Sequence, residues 1–315
     1  MRTLLSPNAQ FAGSFGWAVE VVGNALAVSS PAETVNGIHS AGRVYLFNAR
    51  TGALLDTLVS SSPQELGDFG RAVDLADGLL AVGAPFEMVN GVPAGRVHVF
   101  DVRTGSEIMT FVSPNPEING VFGAKIDVSD GHIIVGAPGE NSFAGRAYIF
   151  RAATGALIRT LVSPNEPDEL LFGSSVAVSN QVALVGSPDE TVNGIASSGS
   201  VYVFDITTSS LITTIVDPNA QTGGRFGFSL KLAGNSLIVG APSDMVSATT
   251  FGQVYVFNAA SGFLTATLVS PDTGIAGSPG FFGNSVDSAN GRIYVGAPAQ
   301  AVNGQLWAGG VYIFS

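Results

Sequence analysis

Short apolar runs, each cut off by turn residues, fill this chain from end to end. The stretch Asp68–Phe100 holds three of them. Phe69-Gly70 opens the first, Gly83-Ala84-Pro85 closes the second, and Val97-His98-Val99-Phe100 ends the third. Runs of this length, bounded by Gly, Pro, Asn and Asp, predict strands, and no helical period persists anywhere. Strand one is expected over Arg71–Leu75 and strand two over Leu79–Gly83, joined by an Asp77-Gly78 hairpin turn. Pro85 has no N–H to give a ladder and stops strand two. A long loop leads to strand three, Arg96–Phe100. A turn through Gly105 then leads to strand four, Glu107–Val112, which ends at Ser113-Pro114-Asn115.

The same pattern recurs. Phe69 and Pro85 lie 16 positions apart, and so do Phe15 and Pro31, Phe122 and Pro138, Phe172 and Pro188, Phe226 and Pro242, and Phe282 and Pro298. The phenylalanines follow one another at intervals of 54, 53, 50, 54 and 56 residues, the range of propeller and solenoid repeats. The expected units cover about 12–63, 64–116, 117–166, 167–220, 221–273 and 274–315, the last joined by residues 1–7, in one domain of 315 residues. Their strand-one/strand-two hairpins turn on Gly23-Asn24, Asp130-Gly131, Asn180-Gln181, Gly234-Asn235 and Asn290-Gly291.

The sixth unit reaches Val311-Tyr312-Ile313-Phe314, the end of a third strand, while Thr3-Leu4-Leu5-Ser6-Pro7 reads as a fourth strand with no unit before it. The offset predicts an all-β, six-bladed β-propeller of four-stranded antiparallel blades. Its N-terminal strand would complete the last blade beside residues 311–314.

Composition narrows the function. Charged residues are only 12% of the chain and apolar ones 46%, which suits strands buried on both faces. Net charge is −11, and Lys125 and Lys231 are the only lysines. Nucleic acid is therefore not an expected partner, because phosphate binding needs clustered Lys and Arg. No apolar run is long enough to insert into a membrane, and no signal peptide is visible. Without cysteine there is no disulfide, thiolate metal site or cysteine nucleophile.

Phe-Gly, then Gly-Ala-Pro in four units, Gly186-Ser187-Pro188 in the fourth and Ser29-Ser30-Pro31 in the first, then Gly-x-Val-Tyr-x-Phe, resembles the FG-GAP repeat family. These are the propellers that head integrin α subunits and occur in bacterial surface proteins. The resemblance implies adhesion or recognition outside the cell or at its surface, by a monomer that meets a protein or glycan. Many relatives carry a calcium loop between strands one and two. The two-residue turns here have no room for such an oxygen cage, so no metal or cofactor is expected.

Two residues past each proline stand Glu33, Glu87, Glu140, Glu190, Asp244 and Gln300. They would ring the long-loop face, either as an acidic crown that binds cations or basic groups, or as pins that accept loop hydrogen bonds. On strand one, Glu20, Asp74, Asp127, Ala177, Lys231 and Asp287 are expected to face the propeller channel. The strand-three series Tyr45, His98, Tyr148, Tyr202, Tyr255 and Tyr312 reads as packing between blades, with His98 as a satisfied core residue. Trp17 and Trp307 are the only tryptophans and would flank one groove, a stacking surface for sugars or a hydrophobic plug. The phrase Val-Asn-Gly at Val35, Val89, Val192 and Val302 forms loop turns that could expose a repeated valine.

No elbow serine, phosphate loop or dinucleotide fingerprint is present, so the chain reads as a non-enzyme. The first reading is a recognition or adhesion module that binds its ligand on the long-loop face. Alternatives are a lectin-like propeller and an excised or engineered repeat scaffold without activity of its own.

Overall fold

The computed structural model describes residues 3–165, 170–179, 181–246, 251–259, 261–271 and 280–315. It is all-β, with no helix among these residues. The fold class is the propeller that the repeats predict, with six small antiparallel blade sheets. Residue contacts divide the chain into two compact units, Met1–Val162 and Ser163–Ser315, with three blades in each. The division falls between blades and cuts none of them.

Blade two shows how the sequence builds one sheet. Its strands are Ala72–Ala76, Leu79–Ala84, Arg96–Asp101 and Glu107–Val112, paired in chain order. Asp77 and Gly78 turn the first hairpin with φ of 54° and 78°, a tight reversal that Asp and Gly adopt at low cost. Strand two is buried from Leu80 to Ala84 because sheets cover it on both faces. Blades one and three repeat this order in the first unit, and blades four and five in the second. The Asn180 half of the expected blade-four turn lies outside the described residues.

Within each unit the first strands of successive blades pack side by side. Phe69 and Phe122 are fully buried between blades. Phe69 meets His98 and Phe100 of its own blade edge-on, with ring centroids 5.4 and 6.0 Å away, and shares a cluster with Val44 and Leu46 of blade one. The small residues set the spacing. A Cβ on Gly83 would stand 2.0 Å from the carbonyl oxygen of Gly123 in the next blade.

Blade six differs from the expectation. It has three strands, Ser285–Ala289, Arg292–Ala297 and Gly310–Phe314, and the last pairs only with the second. Residues 3–6 form no strand. The fourth strand expected at Thr3–Pro7 is therefore not formed among the described residues, and Val311 and Ile313 on the last strand are 70% and 59% exposed. The N-terminal segment is held elsewhere. Leu4 packs on Val28, Tyr45 and Phe47 of blade one, and Ser6 donates a hydrogen bond to Glu33. Met1 and Arg2 of that expected strand lie outside the described residues.

Candidate functional site

The loop carboxylates turn inward. Glu33, Glu87, Glu140, Glu190 and Asp244 are at most 1% exposed, and Gln300 is buried as well. An open acidic crown is not formed. The expected backbone pins are not the main partners either. Each carboxylate meets the strand-three residue that the sequence assigned to packing. The hydroxyl of Tyr45 donates to Glu33 at 2.6 Å, that of Tyr202 to Glu190 at 2.5 Å and that of Tyr255 to Asp244 at 2.8 Å. Tyr148 donates to Glu140 in the same way. In blade two, where His98 replaces the tyrosine, its Nε2 meets Glu87 at 3.0 Å.

A third partner comes from the Ser-Pro-Asn phrase that precedes blades one, three and four. Ser6 donates to Glu33 at 3.0 Å, Ser113 to Glu140, and Asn165 to Glu190. Arg43, at the start of strand three, lies 3.3 Å from Glu33, and Arg146 lies 3.6 Å from Glu140. Such donors stabilise a buried carboxylate, although Glu87 Oε1 and Glu190 Oε2 are met by none. Burial, followed by the hydrogen bond to Glu33, pushes the Tyr45 hydroxyl up to about 12. The same causes raise Tyr148 and Tyr202 further, so these hydroxyls keep their protons and remain donors. Burial raises Glu140 against the bonds from Ser113 and Tyr148. The phrase thus serves the blade that follows it, a role that the strand-end reading missed. The signal was present, because Ser-Pro-Asn, the loop carboxylate and the tyrosine recur together.

Blade five breaks the pattern. Asp217 stands where the other blades have serine, and Gln253 stands where blades one to three have arginine. Asp217 and Asp244 are both buried, and one oxygen of each, Oδ2 and Oδ1, has no donor. Burial raises both carboxyls, and for Asp244 the Asp217 charge adds to it. A carboxyl raised in the folded state costs stability as pH climbs above the ordinary carboxylate range. Asp217→Ser is therefore expected to stabilise the chain by about 1–2 kcal/mol at pH 8 and by little at pH 4. Urea titrations at the two pH values check this, and an equal gain at both would contradict it.

The strand-one series does not line an open channel at Asp74, which is buried. Its Oδ2 accepts the N–H of Val128 from blade three at 2.5 Å. Asp77 accepts the N–H of Gly131 at 3.1 Å in the same way. Lys231 pairs with Asp287 at 3.4 Å.

Outside the buried network, the loop ends carry apolar side chains. Glu87 is fully buried, while its neighbours Phe86 and Met88 are 40% and 46% exposed. Leu66 and Phe143 are also exposed in this unit. Of the Val-Asn-Gly valines, Val35 and Val89 are buried rather than presented, and each closes a small loop, Val35 against Ile38 and Val89 against Val92.

Trp17 belongs to the first unit and Trp307 to the second. The Trp17 ring is about half exposed and carries the Arg71 guanidinium 4.5 Å from its centroid, and its Nε1 donates to the Arg71 carbonyl at 3.1 Å. Trp307 is exposed and leans on Phe281 at 6.2 Å.

A family model described as the FG-GAP repeat matches residues 165–204 and 210–257. They span blade four and most of blade five. No curated protein matches the chain.

Proposed function

With the FG-GAP repeats as premise, we propose that the chain is a non-enzymatic recognition module, outside the cell or at its surface, that meets a protein through the long-loop ends of its blades. One observation carries this reading. On the loop Phe86-Glu87-Met88 the central carboxylate is locked into the blade, so the two apolar side chains beside it are held out at fixed positions. Aromatic residues and methionine are enriched at the centres of protein interfaces, and a surface fixed in advance loses less entropy on binding. The acidic, lysine-poor composition points away from nucleic acid as the partner.

A second reading, glycan binding, is favoured by the exposed rings of Trp17 and Trp307. Parallel arrays of secreted proteins and of glycans separate the two. The protein reading expects signal on the protein array that falls at least about tenfold in Phe86→Ser/Met88→Ser, while the melting curve stays put because both side chains lie on the surface. Signal confined to the glycan array and lost in Trp17→Ala or Trp307→Ala would overturn it.

A further inference from the structure

A cleft of about 500 Å³ opens within the second unit, at the hairpin-turn end of blades five and six. It lies at the other end of these sheets from the long loops, so it stands independently of the surface described above. Its floor is apolar, formed by Leu232, Ile238 and Ile293, and Lys231 and Arg292 contribute charge. In a chain of net charge −11 with two lysines, this is a local reversal of sign.

Blades two and three show why the cleft exists and what fits it. Counted from the Phe-Gly phenylalanine, Ser236 and Ser288 take the places of Leu79 and Val128. Leu79 and Val128 belong to the apolar cluster that fills the seam between blades two and three. Two serines are too small and too polar to fill it, so the seam stays open between blades five and six. The charges invert at the same time. Asp74 and Asp77, whose carboxylates cap the N–H groups of Val128 and Gly131, are replaced by Lys231 and Gly234. The amides of Ser288 and Gly291 stand where the capped amides stood, and they face no carboxylate from blade five. Arg292 takes the place of His132 beside them.

We propose that this cleft binds a small organic carboxylate with an apolar body. The ligand's carboxylate takes the position that Asp77 holds in blade two, against the Gly291 amide and the Arg292 guanidinium. Its apolar part lies over Leu232 and Ile293, where Leu79 and Val128 would be. Lys231 lies at the edge of the site, paired with Asp287. An arginine together with backbone N–H groups suits a carboxylate, because both oxygens receive charge-assisted hydrogen bonds.

The test uses the full chain and sodium benzoate as probe, with benzamide as the neutral control, followed by amide NMR. Benzoate should give a saturable shift at Gly291 and along Ser288–Ile293, and benzamide should give none. Gly234→Asp restores the internal carboxylate and should weaken benzoate binding at least about tenfold. Nothing lies within 4 Å of a Cβ at Gly234, whose φ is 58°, and the melting curve of the variant is recorded beside that of the wild type so that a strained turn is told apart from a filled site. Arg292→Ala should weaken binding to a similar degree. Equal shifts with benzamide, shifts that never saturate, or undiminished binding in Gly234→Asp would each overturn the proposal.

Discussion

Gly83→Ala is expected to destabilise the chain by about 3 kcal/mol, a large effect for one added methyl group. The new Cβ would lie 2.0 Å from the Gly123 carbonyl oxygen and 3.3 Å from Ile126 Cδ1. The first neighbour is backbone and has no rotamer through which to yield, so blades two and three must part along the seam. Parting them also loosens Asp74 from the Val128 amide and uncovers the buried faces of Phe122 and Val135. Gly186 and Gly240 face the same contact at 2.2 and 2.1 Å, from Gly227 and Gly283. Blade one carries Ser29 at this place, which shows that a seam built for a side chain can accept one. Gly310→Ala is the control, because its Cβ would meet nothing nearer than 3.7 Å. Urea midpoints at constant slope measure both variants. A loss below about 1 kcal/mol for Gly83→Ala would mean that the seam between blades two and three widens without cost to take a side chain, against the contact at the Gly123 carbonyl.

The features legible in the sequence are local ones. Asp77-Gly78 fixes its own turn, Pro85 stops its own strand, and the 16-residue spacing ties each hairpin to the next, so the strands of blade two emerge within a residue of expectation. Features that depend on two distant residues were harder to read. In the sequence Glu87 reads as a crown acid or a loop pin, and only the fold brings His98 to it and Ser60 to His98. The N-terminal strand failed for a related reason. Thr3-Leu4-Leu5 carries the side-chain pattern of a fourth strand, but Leu4 finds an apolar cluster on blade one and Ser6 finds Glu33. The cleft of the second unit was visible only as an oddity, a lysine in a series of acids. Its meaning depends on Ser236 and Ser288 emptying the same seam, and that requires the register between blades.

His98→Leu is expected to cost about 3–5 kcal/mol near pH 6, because it strands two acids that now share one cation. His98 is fully buried, with Nδ1 2.8 Å from Glu107 and Nε2 3.0 Å from Glu87. Burial alone would lower the imidazole pKa, but the hydrogen bonds and charges of Glu107 and Glu87 outweigh it and lift the pKa to about 9. Glu107 moves the other way. Burial raises it, but the bonds from His98 and Thr110 prevail and bring it to about 2. A histidine raised in the folded state contributes stability that is complete below its ordinary value of 6.5 and is lost as pH rises through about 9. The gap corresponds to about 3 kcal/mol. The Glu107 contribution is present above the ordinary glutamate value of 4.5 and is lost as pH falls towards 2. Both operate together between about pH 4.5 and 6.5, and the His98 share fades above that window. His98→Tyr restores the residue that the other five blades carry and returns a neutral donor to Glu87. It should remove the fall in stability between pH 6.5 and 9 while keeping the fold, whereas His98→Leu should be less stable throughout the acidic arm. If the wild-type chain and His98→Tyr lose stability in parallel over that range, the proton on His98 does not hold the blade together.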